Sequence, residues 1–238
     1  TLNGSGLMLN PYIAIAVLVV VGVAIGGLNG TLIVRLGLNA FITTLAMLIL
    51  LRGVTIGLTN GRTLYDLPEP LLYLGNARWL GLPAAVWVSA GLFILAGYIL
   101  RYHRFGRALY AIGGNAEAAR AAGIPVDRYI WAVFAIAGGL AALSGLMLTG
   151  RMASVLSGQG QNMIFTVFAA CVIGRISLNG GRGSVFGALC GVMLLGIISN
   201  ILTLSNIETF WISATYGAII LLSLIVTRLT SGKSYRSD

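Results

Sequence analysis

The sequence predicts an all-α fold of the membrane kind: a polytopic helical integral membrane protein with glycine-rich, closely packed spans. Three observations carry this. Of the 238 residues, 58% are hydrophobic and only 9% are charged, against about 25% charged in an ordinary soluble domain. The mean hydropathy is +0.94, so lipid must solvate most of the surface. Thirty-three glycines accompany only five prolines. Glycine in a soluble helix costs about 1 kcal/mol relative to alanine, but in lipid small residues let helix backbones approach and associate. A soluble enzyme is excluded on composition alone.

A helical span needs roughly 20 apolar residues. Seven segments are candidates: about 12–34, 40–58, 84–100, 129–149, 162–178, 184–204 and 210–227. The first runs from Tyr12 to Val34 without a charge, and Pro11 precedes it where a missing N–H costs nothing. The fifth is the weakest. Its fully apolar stretch, Met163 to Gly174, covers about half a bilayer and is followed by Arg175, a pattern also compatible with a broken or re-entrant helix. Two glycine series step by four, Gly22, Gly26 and Gly30, then Gly183, Gly187 and Gly191. Each is read as a smooth ridge on one helix face for tight packing.

The basic residues set the orientation. With the C-terminus inside, eleven of the fifteen Lys and Arg residues fall on the inner side: Arg35, Arg101, Arg104, Arg107, Arg120, Arg128, Arg175, Arg182, Arg228, Lys233 and Arg236. Arg62, Arg78 and Arg151 fall outside, and Arg52 lies within a span. Acidic residues divide evenly, so the asymmetry lies in the basic residues, as the positive-inside rule requires. It favours the fifth segment as a true crossing, because a re-entrant loop there would move five basic residues outside. The chain begins with Thr1 and shows neither a basic n-region nor a cleavage site. It reads as a single transmembrane domain over 1–238 that lacks its own N-terminal part.

The net charge of +9 invites a nucleic-acid reading. The cations sit between apolar segments, not in a stripe with aromatics, so no nucleic-acid partner is expected. Cys171 and Cys190 lie in apolar runs and read as buried free thiols, without partners for a metal or a disulfide. Gly232-Lys233-Ser234 mimics the end of a phosphate-binding loop, but Thr227 stands where its first glycine belongs. The spacing of Gly181, Gly183 and Gly187 misses a dinucleotide fingerprint, because position 186 is Phe. The lone histidine, His103, lies among arginines and reads as solvated. No nucleophile–base pair suggests an intramembrane enzyme. No span carries a carboxylate near its centre, which a self-contained ion-coupled transporter usually has. Energy for uphill transport would then come from a partner, and a secondary transporter or channel is the rival reading.

Such a partner must touch the inner loop 106–125. Gly113-Gly114 reads as a sharp reversal, Asn115 as an N-cap, and 116–122 as a short helix of Ala with Glu117 and Arg120. Gly123 serves as its C-terminal stop, with Pro125 shortly after. A small, smooth, capped helix of this kind suits a groove in another protein, or a plain interfacial connector.

Here a family resemblance enters. The stretch 106–125 is similar to the coupling-helix loop of ribose-type ABC importer permeases, with its Gly-Gly-Asn-x-x-Ala-Ala-x-x-Ser-Gly-Ile pattern; Ala122 stands where that pattern often has Ser. Asn29-Gly30, Ala40-Phe41-Ile42-Thr43-Thr44-Leu45, Leu51-Arg52-Gly53-Val54-Thr55 and Thr59-Asn60-Gly61 also resemble that family. Downstream, Ala137 to Gly145 and Leu178-Asn179-Gly180-Gly181-Arg182-Gly183-Ser184-Val185-Phe186-Gly187 match in order. Gly174-Arg175-Ile176-Ser177-Leu178 departs from the usual Gly-Gly-Thr-Ser-Leu, and Gln161-Asn162-Met163 lacks a usual acidic residue.

The resemblance implies a type II-like ABC importer permease in the bacterial inner membrane, multi-pass with a cytoplasmic C-terminus. It implies three protein partners: a cytoplasmic ATP-binding subunit holding ATP and Mg, a periplasmic solute-binding protein, and a second permease copy, with membrane lipid around them. No cofactor is expected on this chain. Gly113, Gly114, Asn115, Glu117, Ala118, Ala119, Arg120 and Gly123 become the expected coupling surface. Candidates along a solute path are Asn29, Phe41, Thr43, Thr44, Arg52, Thr166 and Asn200, with Ser199 beside the last. With no charge at the span centres to balance an ionised solute, a neutral monosaccharide or nucleoside-like solute is expected over an amino acid.

Overall fold

The computed structural model describes residues 11–63, 73, 75–156, 158–160, 163–177, 180–206, 211, 214–219 and 221. The helices are α1 (Pro11–Leu36), α2 (Ala40–Thr59), α3 (Ala84–Tyr102), α4 (Arg104–Gly114), α5 (Ala116–Ala121), α6 (Val126–Met152), α7 (Met163–Ile173) and α8 (Val185–Leu204). Two short strands, β1 (Arg78–Trp79) and β2 (Leu82–Pro83), precede α3. Five of the helices, α1, α2, α3, α6 and α8, are long and apolar enough to cross a membrane. Many of their large side chains are open to the surroundings, among them Ile49, Ile94 and Phe186. In water this exposure would be prohibitive; against lipid it costs nothing. The chain forms two compact units, one of Thr1–Leu92 with Pro125–Gln159, the other of Phe93–Ile124 with Gly160–Asp238.

In the first unit, α1 packs antiparallel against α6 along the predicted glycine ridge. A methyl group on Gly22 would lie 2.6 Å from both the Ala142 Cβ and the Gly138 carbonyl oxygen, and one on Gly30 3.1 Å from the Trp131 Cα. Gly26 meets Phe134 and Gly138 in the same way. The seam ends in a polar clasp: Trp131 Nε1–H donates to Thr31 Oγ1 at 3.1 Å, and the Thr31 hydroxyl donates to the Gly27 carbonyl at 2.8 Å. Helix α2 starts at Asn39, whose side-chain oxygen accepts from the N–H groups of Phe41 and Ile42 at 3.0 and 3.3 Å.

Before α3, β1 and β2 pair antiparallel, Arg78 opposite Pro83 and Trp79 opposite Leu82. Leu80 and Gly81 both have positive φ there, the signature of a two-residue type I′ turn. The 162–178 segment is not a full-length helix. Helix α7 has eleven residues, about 16 Å at the helical rise, roughly half the hydrocarbon core. Of 210–227, residues 211, 214–219 and 221 are described, all helical; the rest lies outside the described residues.

In the second unit, α7 and α8 form an antiparallel pair built on small residues. A Cβ on Gly174 would sit 2.5 Å from the Gly187 carbonyl oxygen, and one on Gly191 would overlap the Ala170 carbonyl. Ala169, Ala170 and Leu195 make a buried cluster flanked by Ile173, Tyr216 and Ile219. Gly183 is not the first member of this ridge. It precedes the α8 cap, Ser184, whose Oγ accepts from the Gly187 N–H at 3.0 Å.

Candidate functional site

The loop after α3 folds into two capped helices. His103 opens α4: its Nδ1 accepts the Phe105 N–H at 3.1 Å, so this residue has a capping role that its arginine-rich surroundings did not reveal. Gly106 allows the chain to double back, since any side chain there would run into the Leu100 backbone. Phe105, Gly106, Ala108, Leu109, Ile112 and Gly113 are buried or half-buried, whereas Arg104, Arg107, Tyr110, Ala111 and Gly114 are exposed. That is an amphipathic helix, at the spacing i, i+3, i+4, i+7.

The predicted reversal at Gly113-Gly114 does not occur there. Both residues continue α4, and the break falls on Asn115, extended at φ −158°. The Asn115 side chain accepts from the Ala118 N–H at 3.0 Å and starts α5. The stop is a Schellman motif. Ile124 N–H donates to the Ala119 carbonyl at 3.0 Å and Gly123 N–H to the Arg120 carbonyl at 2.9 Å, with Gly123 left-handed at φ +81°. Ala119 is buried; Glu117, Ala118, Arg120 and Ala121 are exposed. The result is a single rigid turn and a half with a small, mixed-charge outer face.

Residues 180–183 meet this loop. Gly113 and Gly181 touch backbone to backbone: a Cβ on Gly181 would lie 2.5 Å from the Gly113 carbonyl oxygen, and one on Gly113 would overlap the Gly181 nitrogen. Tyr110 Oη–H donates to the Gly183 carbonyl at 3.0 Å. The segment is closed on itself by Ser177 N–H to the Arg182 carbonyl at 2.8 Å. Gly180 and Gly181 both have positive φ, a consecutive pair that only glycine adopts at low cost. These residues matched a family motif in the sequence, but nothing there joined them to Tyr110 and Gly113, which lie about seventy positions upstream.

The path candidates are dispersed. Asn29 on α1 and Phe41, Thr43, Thr44 and Arg52 on α2 belong to the first unit; Thr166 on α7 and Asn200 on α8 belong to the second. The hydroxyls of Thr43 and Thr44 donate back to the Asn39 and Ala40 carbonyls at 2.8 and 2.9 Å. Phe41, Arg52 and Asn200 are exposed, and Thr166 is half-buried. Asn29 stands apart. Its Oδ1 is buried without a hydrogen-bond partner among the described residues, where such an acceptor ordinarily costs about 1–3 kcal/mol.

Residues 2–226 match a protein family described as the permease component of the branched-chain amino acid transport system. The chain belongs to this permease family. Its curated relatives in the family include the ribose import permease protein of Escherichia coli K12, 35% identical over 225 residues, covering 93% of this chain and 70% of the relative. The L-arabinose transport system permease protein of the same organism is 38% identical over 202 residues, 84% of this chain and 61% of the relative. The ribose import permease protein of Haemophilus influenzae is 34% identical over 218 residues, covering 90% and 68%. No solved structure is significantly similar. The resemblance drawn from the motifs is thereby borne out, as is the polytopic helical membrane fold of this permease.

Proposed function

We propose that this permease is the membrane-spanning subunit of a bacterial inner-membrane ABC importer for a neutral monosaccharide, driven by ATP hydrolysis in a separate cytoplasmic subunit docked on α5. The observation that carries the reading is α5 itself: a short helix capped at both ends, with the small residues Ala118 and Ala121 and the charges of Glu117 and Arg120 turned outward. Its rigidity suits it to transmit a push, and its small side chains suit it to a shallow groove. Affinity for the solute belongs in this reading to a periplasmic binding protein, so the spans need only a transient and weakly polar way through. A second copy of the chain completes the path, and ATP with Mg acts on the partner subunit.

In this reading α4 with α5, and the 180–183 segment that touches α4, lie on the cytoplasmic side, where the positive-inside rule puts most Arg and Lys.

The family description names amino acids, while the relatives cited are named for ribose and L-arabinose. Physical chemistry favours the sugar. An amino acid brings two charges that the span centres have nothing to balance, and a sugar asks only for amide and hydroxyl groups such as those of Asn29, Thr43 and Thr44. The test is purification of the tagged permease from its native membrane, followed by reconstitution with the cognate binding protein. An ATP-hydrolysing subunit should accompany it, and uptake of a pentose or hexose should require ATP. Uptake by the permease alone under an ion gradient would refute the reading.

A further inference from the structure

The second compact unit brings together α4, α5, the 174–184 segment and the α7–α8 pair. Between α5 and α4 stands Asn115 alone, which ends one helix and caps the next. From α4, Tyr110 and Gly113 reach Gly183 and Gly181. From that segment, Gly183 packs on Ile176, and Gly174 sits against Gly187 at the start of α8. The two glycine pairs, Gly113 with Gly181 and Gly174 with Gly187, meet backbone on backbone; the other two contacts use the Tyr110 hydroxyl and the branched Ile176 side chain.

Resting on the coupling role proposed above, we infer that α4 is a lever seated on the 180–183 segment through Tyr110 and Gly113, and that it delivers the displacement of α5 to the α7–α8 pair. Tyr110 and Gly113 are positioning residues in this scheme. A load on α5 moves α4 as one body, because Asn115 bonds into both helices. The Gly113–Gly181 contact cannot compress, since neither residue has a side chain to yield. The Tyr110 hydrogen bond holds the two surfaces in register. Helices α7 and α8 then tilt together, because Gly174–Gly187 and Ala170–Gly191 leave no slack between them. The half-length of α7 fits this role: it can move as an appendage of α8 without dragging a second full span through lipid.

The seat has two clean probes. Tyr110→Phe removes one hydroxyl and keeps the ring. Gly113→Ala favours α4 by helix propensity, so any harm must come from the methyl prising α4 off Gly181. In proteoliposomes holding the whole transporter with its ATPase subunit and binding protein, the readout is solute moved per ATP hydrolysed. Both variants should keep ATP hydrolysis and lower that ratio, Tyr110→Phe by about fivefold, the equilibrium share of one hydrogen bond. As a second measurement, cysteines at Tyr110 and Arg182, in a background without Cys171 and Cys190, are bridged by a short bifunctional reagent. The cysteine at Tyr110 removes the hydroxyl, so the unbridged variant should show the lowered ratio and bridging should raise it; loss of transport on bridging overturns the lever. An unchanged ratio in Tyr110→Phe and Gly113→Ala, with a lowered one in Glu117→Arg, overturns the seat and leaves α5 as the docking helix. An unchanged ratio in all three overturns the coupling role as well.

Discussion

Helix α7 ends in a Schellman motif with the wrong residue in its left-handed position, and that makes a sharp prediction. Ile176 N–H donates to the Cys171 carbonyl at 2.9 Å and Arg175 N–H to the Val172 carbonyl at 3.1 Å, with Arg175 at φ +56°. A left-handed conformation costs an L-residue about 1–2 kcal/mol. Arg175→Gly removes that cost and adds unfolded-chain entropy worth about 0.4–1 kcal/mol, so the net gain is about 0.5–1 kcal/mol. For a chain of this size that is an upward shift of about 1–4 °C in the unfolding midpoint. The neighbouring residue predicts the opposite sign. Gly174 has no room for a methyl, which would lie 2.5 Å from the Gly187 carbonyl oxygen, and overpacking of this kind costs about 1–3 kcal/mol. Thermal unfolding followed by tryptophan fluorescence in one detergent should rank the three proteins Arg175→Gly, parent, Gly174→Ala. A midpoint that falls for Arg175→Gly, or holds for Gly174→Ala, would show that the α7 terminus does not pack as described.

Three further outcomes are expected. Gly22→Ala should lower the midpoint by several degrees through separation of α1 from α6, about 1–3 kcal/mol of overpacking, whereas Gly145→Ala, with open space around it, should leave it near the parent. Asn29→Leu should leave stability unchanged or raise it by up to about 1 kcal/mol, because the Oδ1 it removes has no partner among the described residues; transport should fall at least severalfold if that oxygen serves the solute. Cysteines at Ala118 and Asn76, in a background lacking Cys171 and Cys190, should react with impermeant thiol reagents from opposite faces of the membrane.

The long helices were legible in the sequence because lipid enforces a simple rule: about twenty apolar residues, with backbone bonds satisfied internally. The caps were legible for the same local reason. Asn115 and Gly123 do their work through bonds three to five residues away, within reach of pattern reading. What the sequence hid was non-local or depended on one torsion angle. Gly113 read as a turn because two glycines in a row usually mark one, yet it serves a contact with Gly181. Gly183 kept the four-residue rhythm of its ridge but stands before the helix, since Ser184 accepts from the Gly187 N–H in the first turn of α8 and fixes where the helix begins. His103 read as solvated because its environment is cationic; its ring nitrogen nonetheless bonds the Phe105 N–H, which no composition argument foresees.

The path candidates divide for a related reason. A hydroxyl or amide in an apolar span has two uses, satisfying its own helix or facing a polar solute, and sequence cannot separate them. The structure separates them by where the hydrogen bonds go. Thr43 and Thr44 spend their protons on the preceding turn of α2, which leaves them able to accept a hydrogen bond but not to donate one. Asn29 has an acceptor open on α1. Thr43 and Thr44 are thus left as acceptors, whereas Asn29 carries amide N–H donors beside its open acceptor. In the sugar reading proposed above, such neutral groups are the ones that meet the hydroxyls of an uncharged solute.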